Sequence, residues 1–301
     1  MSHLFDLLLV CLSDGLMYSL LAIGYYITYT VLDFPDLTVE GTVVTGGVCY
    51  AILASAGLNP WLSMLAAFLA GCLGGCVTGL LHVKLKIRAL LCGILVSTGL
   101  ISINLVASMV GTGGNFSGIG GMSTISCRNT IFPRFLPENI RKVVMFLVVV
   151  VIVKLLVDFY LKTKSGMLLI ATGNNERFSS MLAKDPGNSK ILGLVIGNGF
   201  AGLAGSLIVQ SRQNATQTMG AGMVVIGLAA VIIGMSVFGR VKFMKPTTKV
   251  ILGSVIYQLC LAVATALGVP SAYNKIIMAV LFTIALVFSR HADRRKRGAV
   301  L

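Results

Sequence analysis

Nine apolar runs dominate this chain, at roughly 10–32, 38–56, 60–82, 88–110, 143–163, 190–210, 222–239, 248–267 and 273–290. Each has about the 20 residues that a helix needs to cross the hydrocarbon core of a bilayer. Backbone in lipid must satisfy its own polar groups, so runs of this kind fold as helices joined by polar connections. Hydrophobic residues fill 56% of the 301 positions and charged residues 11%, with a mean hydropathy of +0.92. A soluble core of this length cannot hide that much apolar surface, so the bilayer is the solvent. The expected fold is an all-α polytopic membrane protein, a single transmembrane domain over 1–301 with about nine helices (8–10).

The formal charge of +14 raises the question of nucleic acid. The placement of the charges excludes it, because Lys and Arg sit in short connections and form no basic face interleaved with aromatics. Residues 84–88, 162–190, 240–249 and 290–297 hold seventeen Lys and Arg, whereas the opposite set of connections holds six. The positive-inside rule makes the richer set cytosolic. The C-terminus and the connection at 164–190 are then expected in the cytosol, with the N-terminus outside and 111–142 as an external segment. The start of the chain has no basic stretch followed by a small-residue cleavage site, so no cleaved signal is expected.

Two polar breaks interrupt the apolar pattern. In VLDFPDLTVEG, Asp33, Asp36 and Glu40 fall within eight positions beside Pro35 and Gly41. Proline removes a backbone donor, so the first span is expected to break near 33–41, with Asp36 or Thr38 capping a new helix. Such charges are costly against lipid and must face water or protein. The second break, at 210–222, is QSRQNATQTMGAG. Paired interruptions in two halves of a chain are a pointer to a transport path. Its expected lining is Asp33, Asp36, Thr38 and Glu40, with Gln210, Arg212 and Gln217 nearer the outer mouth, in two pseudo-repeated halves. Gly71, Gly75 and Gly79 share one helix face and, with Ala201 and Gly205, read as close-packing surface. Lys154 and Asp158, one turn apart, are expected to neutralise each other. The scattered cysteines and histidines form no metal-ligand set.

The segment GLMYSLLAIGYYITYTVLDFPDLTVEGT resembles the early part of permease subunits of ATP-binding-cassette importers, in the superfamily serving ribose and branched-chain amino acids. The element from Leu32 to Gly41 is most similar to the group of tryptophan/tyrosine or general amino-acid uptake permeases. Ala171-Thr172-Gly173-Asn174-Asn175-Glu176 resembles the family's cytosolic coupling core, and Gln217–Gly222 leading into Ala229–Gly234 its second-half hairpin. The resemblance implies a homodimeric channel for an amino acid in the bacterial cytoplasmic membrane, with an external or periplasmic solute-binding protein. It also implies a separate cytosolic ATPase, which would carry the ATP and Mg, so this chain needs no cofactor of its own. Gly173, Asn174, Asn175, Glu176 and Arg177 are then expected to seat on that ATPase. The chain has no Walker A sequence, so it is not expected to be an enzyme. The competing expectation is an ion-coupled secondary transporter using Asp33, Asp36 and Glu40. An intramembrane enzyme has no matching constellation here, neither HExxH nor GxSxG.

Overall fold

The computed structural model describes residues 2–111, 119–120, 138–175, 179, 185–212, 214–239, 241, 243–266, 273 and 276–287. Helix α1 (Ser2–Tyr25) continues through a π-helical turn at Tyr26–Val31. It is followed by α2 (Val39–Ser55), α3 (Pro60–Lys84), α4 (Ala89–Gly111), α5 (Glu138–Tyr160), α6 (Lys164–Asn174) and α7 (Pro186–Arg212). A 3-10 turn at Gln217–Gly220 leads into α8 (Met223–Val237), α9 (Pro246–Ala266) and α10 (Ile276–Val287). Among the described residues one strand pair occurs, Ile119–Gly120 antiparallel to Asn214–Ala215.

Seven segments are long and apolar enough to cross a membrane: Leu8–Val31, α3, α4, Ile140–Tyr160, α7, Gln217–Val237 and α9. The runs at 38–56 and 273–290 fold as the shorter helices α2 and α10. The expected count of about nine thus includes two helices below full-span length. Helix α2 is short because residues 33–38 are spent on the break that precedes it.

Local chemistry sets the helix ends. Asn59 caps α3, its side chain accepting the Trp61 N–H at 3.0 Å, and Pro60 occupies the first helical position where no donor is needed. Thr163 caps α6 by accepting the Gly166 N–H at 3.2 Å. At the first break, Asp33 takes φ +54°, a left-handed conformation that stops the helix outright.

Helix α7 is the hub, with 78% of its most apolar window buried against 28% for α4. It packs between α2 and α3 through small residues. A Cβ at Gly71 would strike the Asn198 carbonyl, one at Gly75 the Leu194 carbonyl, and one at Gly79 would meet Ile191 Cα at 2.9 Å. Gly205 lies against the Val43 carbonyl, and Gly46 against Gly202. The expected small-residue face on α3 is therefore a backbone-to-backbone contact with α7, which dispersion alone can hold in lipid. A second cluster joins α1, α8 and α9, where Gly15 meets Val255 and Gly253 meets Ala230 and Gly234. Ser254 Oγ donates to the Gly15 carbonyl at 2.9 Å and fixes the level of α9 on α1.

Candidate functional site: where the two breaks meet

Each acidic residue of the first break has a different setting. Asp33 is exposed, Asp36 is 1% exposed, and Glu40 is half-buried. Asp36 Oδ1 accepts the Thr38 N–H at 2.8 Å, and Oδ2 accepts Asn198 Nδ2 at 2.6 Å. The Asp36 carbonyl takes the Tyr25 hydroxyl at 3.2 Å. Asn198 Oδ1 in turn accepts the Thr42 hydroxyl at 2.9 Å, and the Thr38 and Thr78 hydroxyls lie 2.8 Å apart. Asn104 Nδ2 reaches the Gly41 carbonyl at 3.3 Å. This buried net ties the break to α3, α4 and α7. Both Asp36 carboxylate oxygens have donors from the chain itself, which is how a buried carboxylate is tolerated.

Thr38 stands at the N-cap of α2 but forms no side-chain cap. Asp36 Oδ1 instead accepts the backbone N–H of Thr38 there, and the Glu40 carboxylate serves elsewhere. Glu40 Oε1 accepts the N–H of Gly222, the residue that precedes α8, at 3.0 Å. Gly222 has φ +88°, open to glycine without strain. Gly220 packs so closely on the Glu40 carbonyl that a Cβ there would collide. The two breaks, far apart in sequence, form one joint, and Glu40 caps a helix other than its own.

The remaining second-break residues are spread along α7 and the 3-10 turn. Gln210 lies inside α7 and is 2% exposed. Arg212 ends α7, is exposed, and donates to the Tyr18 hydroxyl on α1 at 2.6 Å. Gln217 sits in the 3-10 turn, half-buried. The amide nitrogens of Gln210 and Gln217 have no hydrogen-bond partner among the described residues. The structure thus brings Asp36, Thr38 and Glu40 to the joint, leaves Asp33 outside it, and places Arg212 in a separate cluster with α1.

The connection at 164–190 is not a free loop over its first part. Helix α6 lies on the end of the first break: a Cβ at Gly173 would strike the Val31 carbonyl, and buried Leu169 meets Gly193 beside Leu32. Asn174 and Asn175 are exposed, and Glu176 and Arg177 lie outside the described residues. Nearby, Asp158 accepts from Lys154 at 3.2 Å, Lys245 at 3.0 Å and the Thr247 hydroxyl at 2.6 Å. The expected Lys154–Asp158 pair is therefore part of a larger node that pins α5 to the start of α9. His82 Nδ1 lies 2.8 Å from the Ile87 carbonyl, and its ring meets Phe34 edge-on at 5.0 Å, bracing the turn between α3 and α4 against the break.

Asn198, Thr42, Thr78 and Tyr25 escaped the reading of the sequence. A usable signal existed in Asn198, an amide in the middle of an otherwise apolar span, since such a group needs a partner inside the protein.

Comparison with known proteins gives a consistent picture. Residues 7–286 match the family described as "Branched-chain amino acid transport system / permease component". The chain is 38% identical over 270 residues, 90% of its length and 87% of the relative's, to the Tyrosine transport system permease protein of Clostridioides difficile (strain R20291). It is 28% identical over 295 residues, 96% and 99% of the two lengths, to an uncharacterized protein of Rickettsia prowazekii (strain Madrid E). No solved structure matches.

Proposed function

The chain belongs to the family of branched-chain amino acid transport system permease components, and from that premise we propose that it is the membrane subunit of an ATP-binding-cassette importer. Its cargo is an amino acid, aromatic in class as the name of the Clostridioides difficile relative indicates. The subunit alternates between outward-open and inward-open forms, driven by a separate cytosolic ATPase that carries ATP and Mg. An external solute-binding protein delivers the solute, and a second copy of the chain completes the channel in the bacterial cytoplasmic membrane. The orientation follows the Lys and Arg distribution, with α6 and the C-terminus in the cytosol.

The observation that carries this reading is the seat of α6. Gly173 rests on the carbonyl of Val31, where the first span breaks, and that break is joined through Glu40 to Gly222. A push on α6 therefore reaches both interruptions through packed backbone, as rigid elements transmit small displacements. Asp36 and Glu40 both accept N–H groups of the chain, which disfavours their use as an ion-coupling site.

Reconstitution of the subunit with its ATPase and binding protein tests the proposal. Charge reversal at Glu176 and Arg177 is expected to cut substrate-stimulated ATP hydrolysis severalfold while leaving the isolated ATPase unchanged. Uphill uptake by the subunit alone under an imposed ion gradient would establish the secondary-transporter reading instead.

A further inference from the structure

Around Arg212 the geometry points to a second polar site, one that the joint of the two breaks does not use. Asp14 and Tyr18 are one helical turn apart on α1 and so share a face. Arg212, at the end of α7, donates to the Tyr18 hydroxyl at 2.6 Å. Asp14 lies within electrostatic reach of Arg212, yet the two form no ion pair among the described residues. Opposite charges held near each other and out of contact match the two ends of a zwitterion. A guanidinium presents five N–H donors in a planar fork that fits a carboxylate, and a carboxylate accepts from an ammonium group.

A second, buried polar group stands on the neighbouring helix α9. Tyr257 on α9 is 0% exposed, and its hydroxyl has no partner among the described residues. It lies within electrostatic reach of Tyr18. A buried hydroxyl without a partner is costly in the resting chain and calls for a partner that the described residues do not supply. The Ser254 bond to the Gly15 carbonyl holds α9 and α1 in register at this level. The Arg212 guanidinium is exposed, and the Tyr257 phenol is buried.

We propose that Asp14, Tyr18 and Arg212, backed by Tyr257, form an outer subsite that recognises the backbone of a free amino acid. Arg212 takes the α-carboxylate and Asp14 takes the ammonium group, so selection for a zwitterion begins in the membrane subunit itself. The subsite rests on the importer reading in that it receives the same solute.

The test is equilibrium binding to the full chain in lipid nanodiscs, with L-tyrosine, tyramine and 3-(4-hydroxyphenyl)propionate as probes. Tyramine lacks the carboxylate, and the propionate lacks the ammonium. The wild-type chain is expected to prefer L-tyrosine over each analogue by a factor on the order of ten. R212Q should erase the preference over tyramine and keep the preference over the propionate, D14N should do the reverse, and R212K should retain much of the first. Ratios within one variant do not depend on how much of it is folded, so a weakened variant still reports. Preferences unaltered in R212Q and D14N, or absent in the wild type, would overturn the subsite. Uptake by the assembled importer separates this from the parent reading. An importer that carries L-tyrosine with unaltered preferences removes the subsite alone, and one that carries no amino acid removes both.

Discussion

Asn198 uses every polar atom of its side chain. Its amide nitrogen donates to Asp36 Oδ2 and to the Leu194 carbonyl, and its oxygen accepts from Thr42. Asn198→Ala leaves a buried carboxylate short of a donor and should cost about 1.5–3 kcal/mol of stability, the range for hydrogen bonds to charged groups. Asp36→Asn removes the charge, so the double variant should be less damaged than the two single effects added together. Thermal unfolding in detergent measures all three, and strictly additive losses would show that the contact carries nothing. The sequence marks Asp36 as part of a polar break, lining a path or capping a helix, because charge, proline and glycine stand together there. It does not announce its partner, since a partner 162 residues away is fixed by packing and leaves no local trace.

At the level of helices, the meeting of α3 and α7 depends on residues without side chains. A Cβ at Gly202 would lie 2.5 Å from the Ala67 carbonyl, and nothing lies within 4 Å of one at Gly99. Gly202→Leu should therefore push α3 off α7 and cost about 1–3 kcal/mol by overpacking. Gly99→Ala is expected to stay within about 0.5 kcal/mol of the parent. Equal unfolding temperatures for the two variants would contradict this account. The glycine row was legible because its four-residue spacing repeats on one face, and which helix it faces was not. Hydropathy likewise placed the spans well but blurred their ends. Residues 165–174 read in sequence as part of a polar connection that is helical in part, and the capped turn at Thr163 and the buried Leu169 make them a docked helix. Gln210 shows the converse, a polar residue read as part of a break that α7 keeps inside the helix.

Across the whole molecule, the proposed orientation puts α6 and the 3-10 turn on opposite sides of the bilayer. In a cysteine-free background, N174C should react with a membrane-impermeant maleimide only after the cells are opened, whereas T218C should react in intact cells. Labelling of N174C from outside would reverse the topology and remove the reason for assigning α6 to the ATPase. The family was visible from the Leu32–Gly41 element, because a proline-bearing acidic break is rare within apolar sequence. The joint between that element and Gly222 was not, being a product of the finished fold. This joint also bears on biogenesis. Asp36 leaves the ribosome 162 residues ahead of Asn198, and Glu40 leaves it 182 residues ahead of Gly222. The first hairpin must therefore wait in the membrane with one oxygen of Asp36 and the carboxylate of Glu40 lacking their final donors until most of the chain has been synthesised, so its seating is a late, post-insertion step.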